Sequence, residues 1–343
     1  MPVDALVHIL EKLPHEEQEA FVRAGLAALE REKLSVVEEA PNYLDIESAF
    51  KERPQLDWVI PSLVLRGTVN FLGGAGGRGK SLISLYLGVE LASGLISGYF
   101  TKDECPSRKV LIVNLEDPPE VLNERLQTFI KPQFLNLIEV LNKNLKIWPA
   151  IGVLGPLFKK NLSGLKVTEA FKQLQQTIEQ ERPDLVILDP IMRLLGVEEN
   201  DNSLVGEIFT HFEKIAKDFG LSWLLVHHTS KNLRNSEQDI ALRGASGFAD
   251  AARSVWTVTS PSPVEESLLK GNGPSLKLNF PKISYGPPKN SVLFRFEPNN
   301  GVSWKCNDPL IFAQLKLQLP LSQMEPDTPR PDAASPCCST SSR

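Results

Sequence analysis

The sequence predicts an α/β fold: a mostly parallel sheet flanked by helices, with antiparallel strands added on its C-terminal side. Three observations predict it. Short apolar runs alternate with helical patterns between residues 68 and 258, the arrangement of parallel strands joined by right-handed crossovers. The runs Val110-Leu111-Ile112-Val113 and Leu185-Val186-Ile187-Leu188 are apolar at every position, as strands covered on both faces must be. After residue 274 the pattern changes to a largely apolar-polar alternation.

In chain order, Val3, Leu6, Val7, Leu10 and Leu13 recur at helical spacing until Pro14 interrupts. Phe21, Val22, Leu26 and Leu29 mark a second amphipathic helix. This pair is expected to be either an arm that packs on a neighbouring subunit or a pair folded on its own domain or loosely attached to it. Residues 41–66 contain Pro41, Pro54 and Pro61 and are expected to be a linker and lead-in segment. Residues 68–72 and 110–115 are expected strands, separated by a helix over 82–91 that is apolar on nearly every side. A helix with Val121, Leu122 and Leu126 on one face follows, then a short strand at 145–148 and a helix over 167–181. The strand at 185–189 comes next, then a helix over 208–219 closed by Gly220 at the C-cap position. Strands at 223–228 and 254–258 complete the parallel set, the last placed at an edge, away from the chain's own glycine loop. Runs at 276–280, 292–296 and 302–304 are expected antiparallel strands, the last two joined by an Asn300-Gly301 turn. From Pro320 onward the chain is rich in Pro, Ser and Thr and is expected to be disordered.

The chain has 343 residues, 42% hydrophobic and 23% charged, ordinary values for a globular protein. No stretch approaches the ~20 apolar residues of a membrane span. Met1-Pro2-Val3-Asp4 lacks the basic start and apolar core of a signal peptide. Cysteines at 105, 306, 337 and 338 have neither metal spacing nor the look of a disulfide framework, so a cytoplasmic location is expected. With a net charge of −5, any nucleic-acid contact must come from a local patch.

Chemistry concentrates first in Gly73-Gly74-Ala75-Gly76-Gly77-Arg78-Gly79-Lys80-Ser81. From Gly74 it reads G-x-x-x-x-G-K-S, between an expected strand and an expected helix, which is the context a phosphate-binding loop requires. Backbone N–H groups and the helix N-terminus would cradle phosphates. Lys80 would reach the β- and γ-phosphates of ATP, and Ser81 would hold Mg2+. Asp189 closes an apolar strand, a Walker B pattern that places a carboxylate beside the phosphates and a metal-bound water. Glu116 closes another strand at the same sheet end and is the candidate base for water, with the adjacent Asp117 as the alternative. His227-His228 ends a third strand. One imidazole could donate a hydrogen bond to the γ-phosphate, and strand alternation sends the two rings to opposite sides, so at most one of them is expected to do so.

Five segments occur in one order: the glycine loop, Leu115-Glu116-Asp117-Pro118-Pro119, Leu185-Val186-Ile187-Leu188-Asp189-Pro190, His227-His228-Thr229-Ser230-Lys231, and the stretch from Arg243-Gly244-Ala245-Ser246 to Arg253. Over roughly residues 55–305 this set resembles the RepA-like ATPases of plasmids and phages, within the RecA/DnaB superfamily of P-loop ATPases. The resemblance implies a RecA-like core, a homo-oligomer forming a hexameric ring, and movement along single-stranded DNA driven by ATP. It implies Glu116 as catalytic base, His228 as γ-phosphate sensor, and Arg253 as a finger reaching a neighbour's nucleotide, with Arg243 as the rival finger. The segment after Asp189 departs from a basic DNA-lining loop, since Val197-Glu198-Glu199-Asn200-Asp201 is acidic. Lys231 and Arg234 are the better DNA-facing candidates. The expected organisation is an N-terminal helical arm (1–40), the linker and lead-in segment (41–66), an ATPase domain (67–310) and a tail (311–343). A regulatory or recombination-mediator ATPase on the same core, without unwinding, is the alternative expectation.

Overall fold

The computed structural model describes residues 12, 14, 17–18, 43–51, 55–95, 100, 105–129, 136–161, 164–197, 202–229, 246–269, 272–297 and 301–306. The helical pair expected over 3–38 lies almost wholly outside them, as do Lys231, Arg234, Arg243 and the tail. The chain divides into two units, Met1–Gln55 and Leu56–Arg343. In the first, helix α1 (Ile46–Lys51) opens on Asp45, which accepts from the Glu47 N–H and the Ser48 hydroxyl, and buries none of its residues.

The second unit contains, in chain order, β1 (Trp58–Ile60), β2 (Val64–Leu65), β3 (Val69–Ala75), α2 (Lys80–Ser93), β4 (Val110–Asn114), α3 (Pro119–Phe129), α4 (Ile138–Asn144) and β5 (Leu145–Pro149). Then come β6 (Phe158–Asn161), β7 (Gly164–Val167), α5 (Glu169–Glu181), β8 (Leu185–Asp189), α6 (Met192–Leu195), α7 (Asn202–Phe219) and β9 (Ser222–Thr229). Last are α8 (Ser246–Ala251), β10 (Ser254–Thr259), α9 (Pro263–Ser267), β11 (Ser275–Ile283), β12 (Val292–Glu297) and β13 (Gly301–Cys306).

Nine strands form one sheet in the order β13-β12-β11-β10-β3-β9-β8-β4-β5. From β10 to β5 all neighbours are parallel, and β11, β12 and β13 extend the sheet antiparallel, as the change of pattern after residue 274 predicts. This is a RecA-like P-loop core. Strand alternation divides the apolar residues between two layers of helix. Leu111, Val113, Val186, Leu188 and Leu225 pack with Phe171, Leu174 and Ile178 of α5 and with Ile208 and Phe212 of α7. Ile112, Ile187 and Leu224 pack with Ile83, Leu87 and Leu91 of α2.

Three expectations change. Part of the segment read as linker is core: Val59, Ile60, Leu63 and Val64 are buried against the α2 layer. Pro54 and Pro61 obscure two strands too short to show a period. Helix α7 starts at Asn202, not Ile208. Asn202, Ser203 and Gly206 are weak helix formers, and burial of Leu204 and Val205 carries the extra turns. Strand β10 is internal rather than at an edge, bonded to β3 on one side and β11 on the other. Among the described residues no helix is long and apolar enough to cross a membrane.

Candidate active site

The phosphate-loop sequence folds as a strand-turn-helix. Gly74 and Ala75 close β3, Gly76, Gly77, Arg78 and Gly79 make the turn, and Lys80 and Ser81 open α2. Gly79 is the N-cap of α2 at φ 84, the left-handed region where a side chain is strained. Lys80 is 3% exposed. Its Nζ donates to the Gly74 carbonyl at 2.8 Å and the Ala75 carbonyl at 2.9 Å, curling back over its own loop. Burial pushes its pKa down to about 8, against the pull of the Asp189 and Glu116 carboxylates. Arg78 donates to Ser260 Oγ, just past the end of β10.

The parallel register brings the strand ends level. Asn114 stands beside Asp189 on β4 and β8, and Gly74 beside His228 on β3 and β9. Asp189 is 2% exposed. Its Oδ2 accepts from Ser84 Oγ at 3.0 Å, while Oδ1 is buried with no hydrogen-bond partner among the described residues. Burial raises its pKa, and the hydroxyls of Ser81 and Ser84 oppose the shift. Among the described residues no group of three or more His, Cys, Asp or Glu is arranged to hold a metal alone. A buried carboxylate oxygen with no hydrogen-bond partner among the described residues, on an acid whose charged form the Ser81 hydroxyl favours, nevertheless suits a Mg2+ ion whose other ligands are water and nucleotide oxygens.

Asn114 shapes the turn after β4. Its Oδ1 accepts from the N–H groups of Glu116 at 3.0 Å and Asp117 at 2.8 Å, and its Nδ2 donates to Asp117 Oδ2 at 3.2 Å. The two acids then diverge. Asp117 is paired with Arg125, while Glu116 Oε1 lies 3.2 Å from His228 Nε2 and 3.7 Å from Arg193 Nε. His227 turns the other way: it is 1% exposed, with its ring 5.6 Å from those of Phe71 and Phe248. A cavity of about 240 Å³ is lined by loop residues 77–82, Glu116, Asp117, Arg125 and His228.

Four parallel strands thus gather the phosphate loop, Asp189, Glu116 and His228 at one end of the sheet. Arg253 is not among them. It is exposed, and its N–H bonds the Val69 carbonyl at the amino end of β3. Sequence reasoning missed Asn114, Arg125, Arg193 and Ser84. Ser84 had a usable signal, since it falls one helical turn after Ser81 on the same face; the other three stand in no local pattern. A family model described as an AAA domain matches residues 35–233, more than half of the chain. The match takes in the phosphate loop, Glu116, Asp189 and His228, and stops before β10.

Proposed function

The chain belongs to the AAA domain family of P-loop ATPases, and from that premise we propose that it hydrolyses ATP and couples hydrolysis to single-stranded DNA. The fuller reading is a hexameric ring helicase in the replication of a plasmid, phage or other mobile element. The observation that carries the ATPase step is the contact between Glu116 on the β4 turn and His228 on β9, across the cavity that the phosphate loop closes.

Nucleotide phosphates seated on the loop would draw Lys80 Nζ off the Gly74 and Ala75 carbonyls. Mg2+ bound at Ser81 and Asp189 would supply charge neutralisation of the phosphate oxygens. Glu116 polarises a water and takes its proton as the water oxygen bonds the γ-phosphorus; the bond from phosphorus to the ADP oxygen breaks, releasing ADP and phosphate. His228, already beside Glu116, senses the γ-phosphate and reports its loss to the base. Arg253 acts on a neighbouring subunit's nucleotide. Lys231 and Arg234, following β9, carry the DNA contact and connect it to His228.

The test is the ATPase rate with and without a single-stranded oligonucleotide. Strong stimulation is expected, with Lys80→Ala losing nucleotide binding and Glu116→Gln binding nucleotide without turning it over. Wild-type turnover by Glu116→Gln would transfer the base role to Asp117. Hydrolysis indifferent to DNA would leave a nucleotide-switched regulatory ATPase.

A further inference from the structure

Between β5 and α5 the chain leaves the main sheet and makes a two-stranded hairpin of its own, β6–β7. From Trp148 to Thr168 there is no acidic residue, and the hairpin carries Lys159, Lys160 and Lys166. In a chain of net charge −5 this is a run whose only charged side chains are basic.

The register pairs Phe158 with Val167, Lys159 with Lys166, and Lys160 with Leu165. Residues alternate between faces. Phe158 is fully buried, and Leu165 and Val167 pack against the same apolar cluster. Lys159 and Lys166 therefore share the outer face, and both are exposed. Like charges set directly opposite destabilise an antiparallel pair, and among the described residues neither lysine is paired with an acid.

The hairpin is rooted at the carboxyl end of the sheet. Ahead of it the Ala150 N–H donates to the Asn114 carbonyl, and the Leu157 N–H to the Leu194 carbonyl, each at 2.7 Å. Gly196, at φ 66, backs so closely on the hairpin that a Cβ there would stand 2.3 Å from the Phe158 carbonyl oxygen. The turn the hairpin rests on is the one that follows Asp189 and carries Arg193, the neighbour of Glu116. The lead-in loop also leaves Ile151 and Val153 exposed, at 42% and 64%.

We propose that the β6–β7 hairpin is a phosphate-backbone site for single-stranded nucleic acid, with Lys159 and Lys166 as its paired contacts. Two exposed point charges on flexible stems, paired with no acid among the described residues, suit a repeating phosphate chain better than a fixed carboxylate. The exposed aliphatic residues of the lead-in loop, Ile151 and Val153, add apolar surface on the same chain segment. A strand bound here lies one backbone contact from the turn that carries Arg193. The inference rests on the DNA-coupled reading above, but it places the contact on a different loop from Lys231 and Arg234.

The experiment follows fluorescence anisotropy of a labelled 30-residue oligothymidylate, with a non-hydrolysable ATP analogue present, over a salt series. Lys159→Gln with Lys166→Gln should weaken binding and lower the slope of log affinity against log salt by about 1.4, at about 0.7 per phosphate contact. Lys159→Arg with Lys166→Arg should keep both. The thermal midpoint of the Gln variant should not fall, because a like-charge pair has been removed. A wild-type slope in the Gln variant overturns the hairpin site and leaves the DNA-coupled reading standing; it is also the result expected if the lysines serve an acidic protein. Equal losses in the Gln and Arg variants would mean a fault of local structure and overturn it too. A wild-type protein that does not bind the oligonucleotide overturns both.

Discussion

Lys80 is held where an ammonium group is poorly hydrated, bonded to two carbonyls of its own loop. Its pKa of about 8, against an ordinary 10.5, has a consequence with a definite sign. Between those pH values the empty folded protein has released a proton that the unfolded chain keeps, so the empty protein gains stability as pH rises through the window. Nucleotide binding runs the opposite way. Phosphates favour the charged amine, so affinity should be flat below about pH 8 and fall by up to tenfold per pH unit above it, as one proton is taken up on binding. Calorimetric titration of a non-hydrolysable ATP analogue at pH 7 and pH 9, in buffers of different ionisation heat, measures both. Equal affinity at the two pH values with no proton uptake would mean that Lys80 stays charged in the empty loop. The two adjacent acids illustrate what a residue list does not contain. Glu116 and Asp117 are adjacent acids in sequence, and it is Asp117 alone whose carboxylate accepts from Asn114 Nδ2 and pairs with the Arg125 guanidinium.

The elements that were legible in the sequence are those whose pattern is purely local. β4 and β8 are continuous apolar runs ending in a polar residue, β11 alternates, and the glycine loop carries its own strand and helix. What was hidden depends on partners far along the chain. Val59 and Val64 sit among prolines, and only burial under α2 identifies their strands. The internal place of β10 follows from its bonds to β3, some 185 residues earlier, which no spacing encodes. The turn after Asp189 offers a test at this scale. Gly196 needs a left-handed backbone and has the Phe158 carbonyl against it, so Gly196→Ala combines strain with a clash against backbone that cannot swing away. A loss of at least ~2 kcal/mol is expected, ~1–2 of it from the backbone conformation alone. Urea unfolding measures it; an unchanged midpoint would mean that the hairpin and this turn are not packed together in solution.

Across the whole molecule, Arg253 and the phosphate loop lie at opposite ends of neighbouring strands. Five residues of β10 separate Arg253 from the level of Gly74, roughly 16 Å at ~3.3 Å per residue, too far for its guanidinium to touch its own nucleotide. A head-to-tail contact would let it reach the next subunit, and such contacts close into a ring when the rotation between subunits divides a full circle. Arg253→Ala should bind ATP yet lose roughly 10³–10⁵ in rate. Mixed with Lys80→Ala it should recover part of the activity, because the Lys80→Ala subunit lends its Arg253 to an intact loop. A mixture that co-assembles and stays inactive excludes action between subunits. The same strand order also dictates when a newly made chain becomes competent. The loop-bearing strand β3 is gripped by β9 and β10, which are synthesised some 150 and 185 residues later. A ribosome must finish most of the polypeptide before those neighbours exist, and closing such distant pairings is slow. Nucleotide capture is therefore a late event in the life of each chain, and a nascent fragment ending before residue 222 would carry the full glycine signature without the sheet that holds it open.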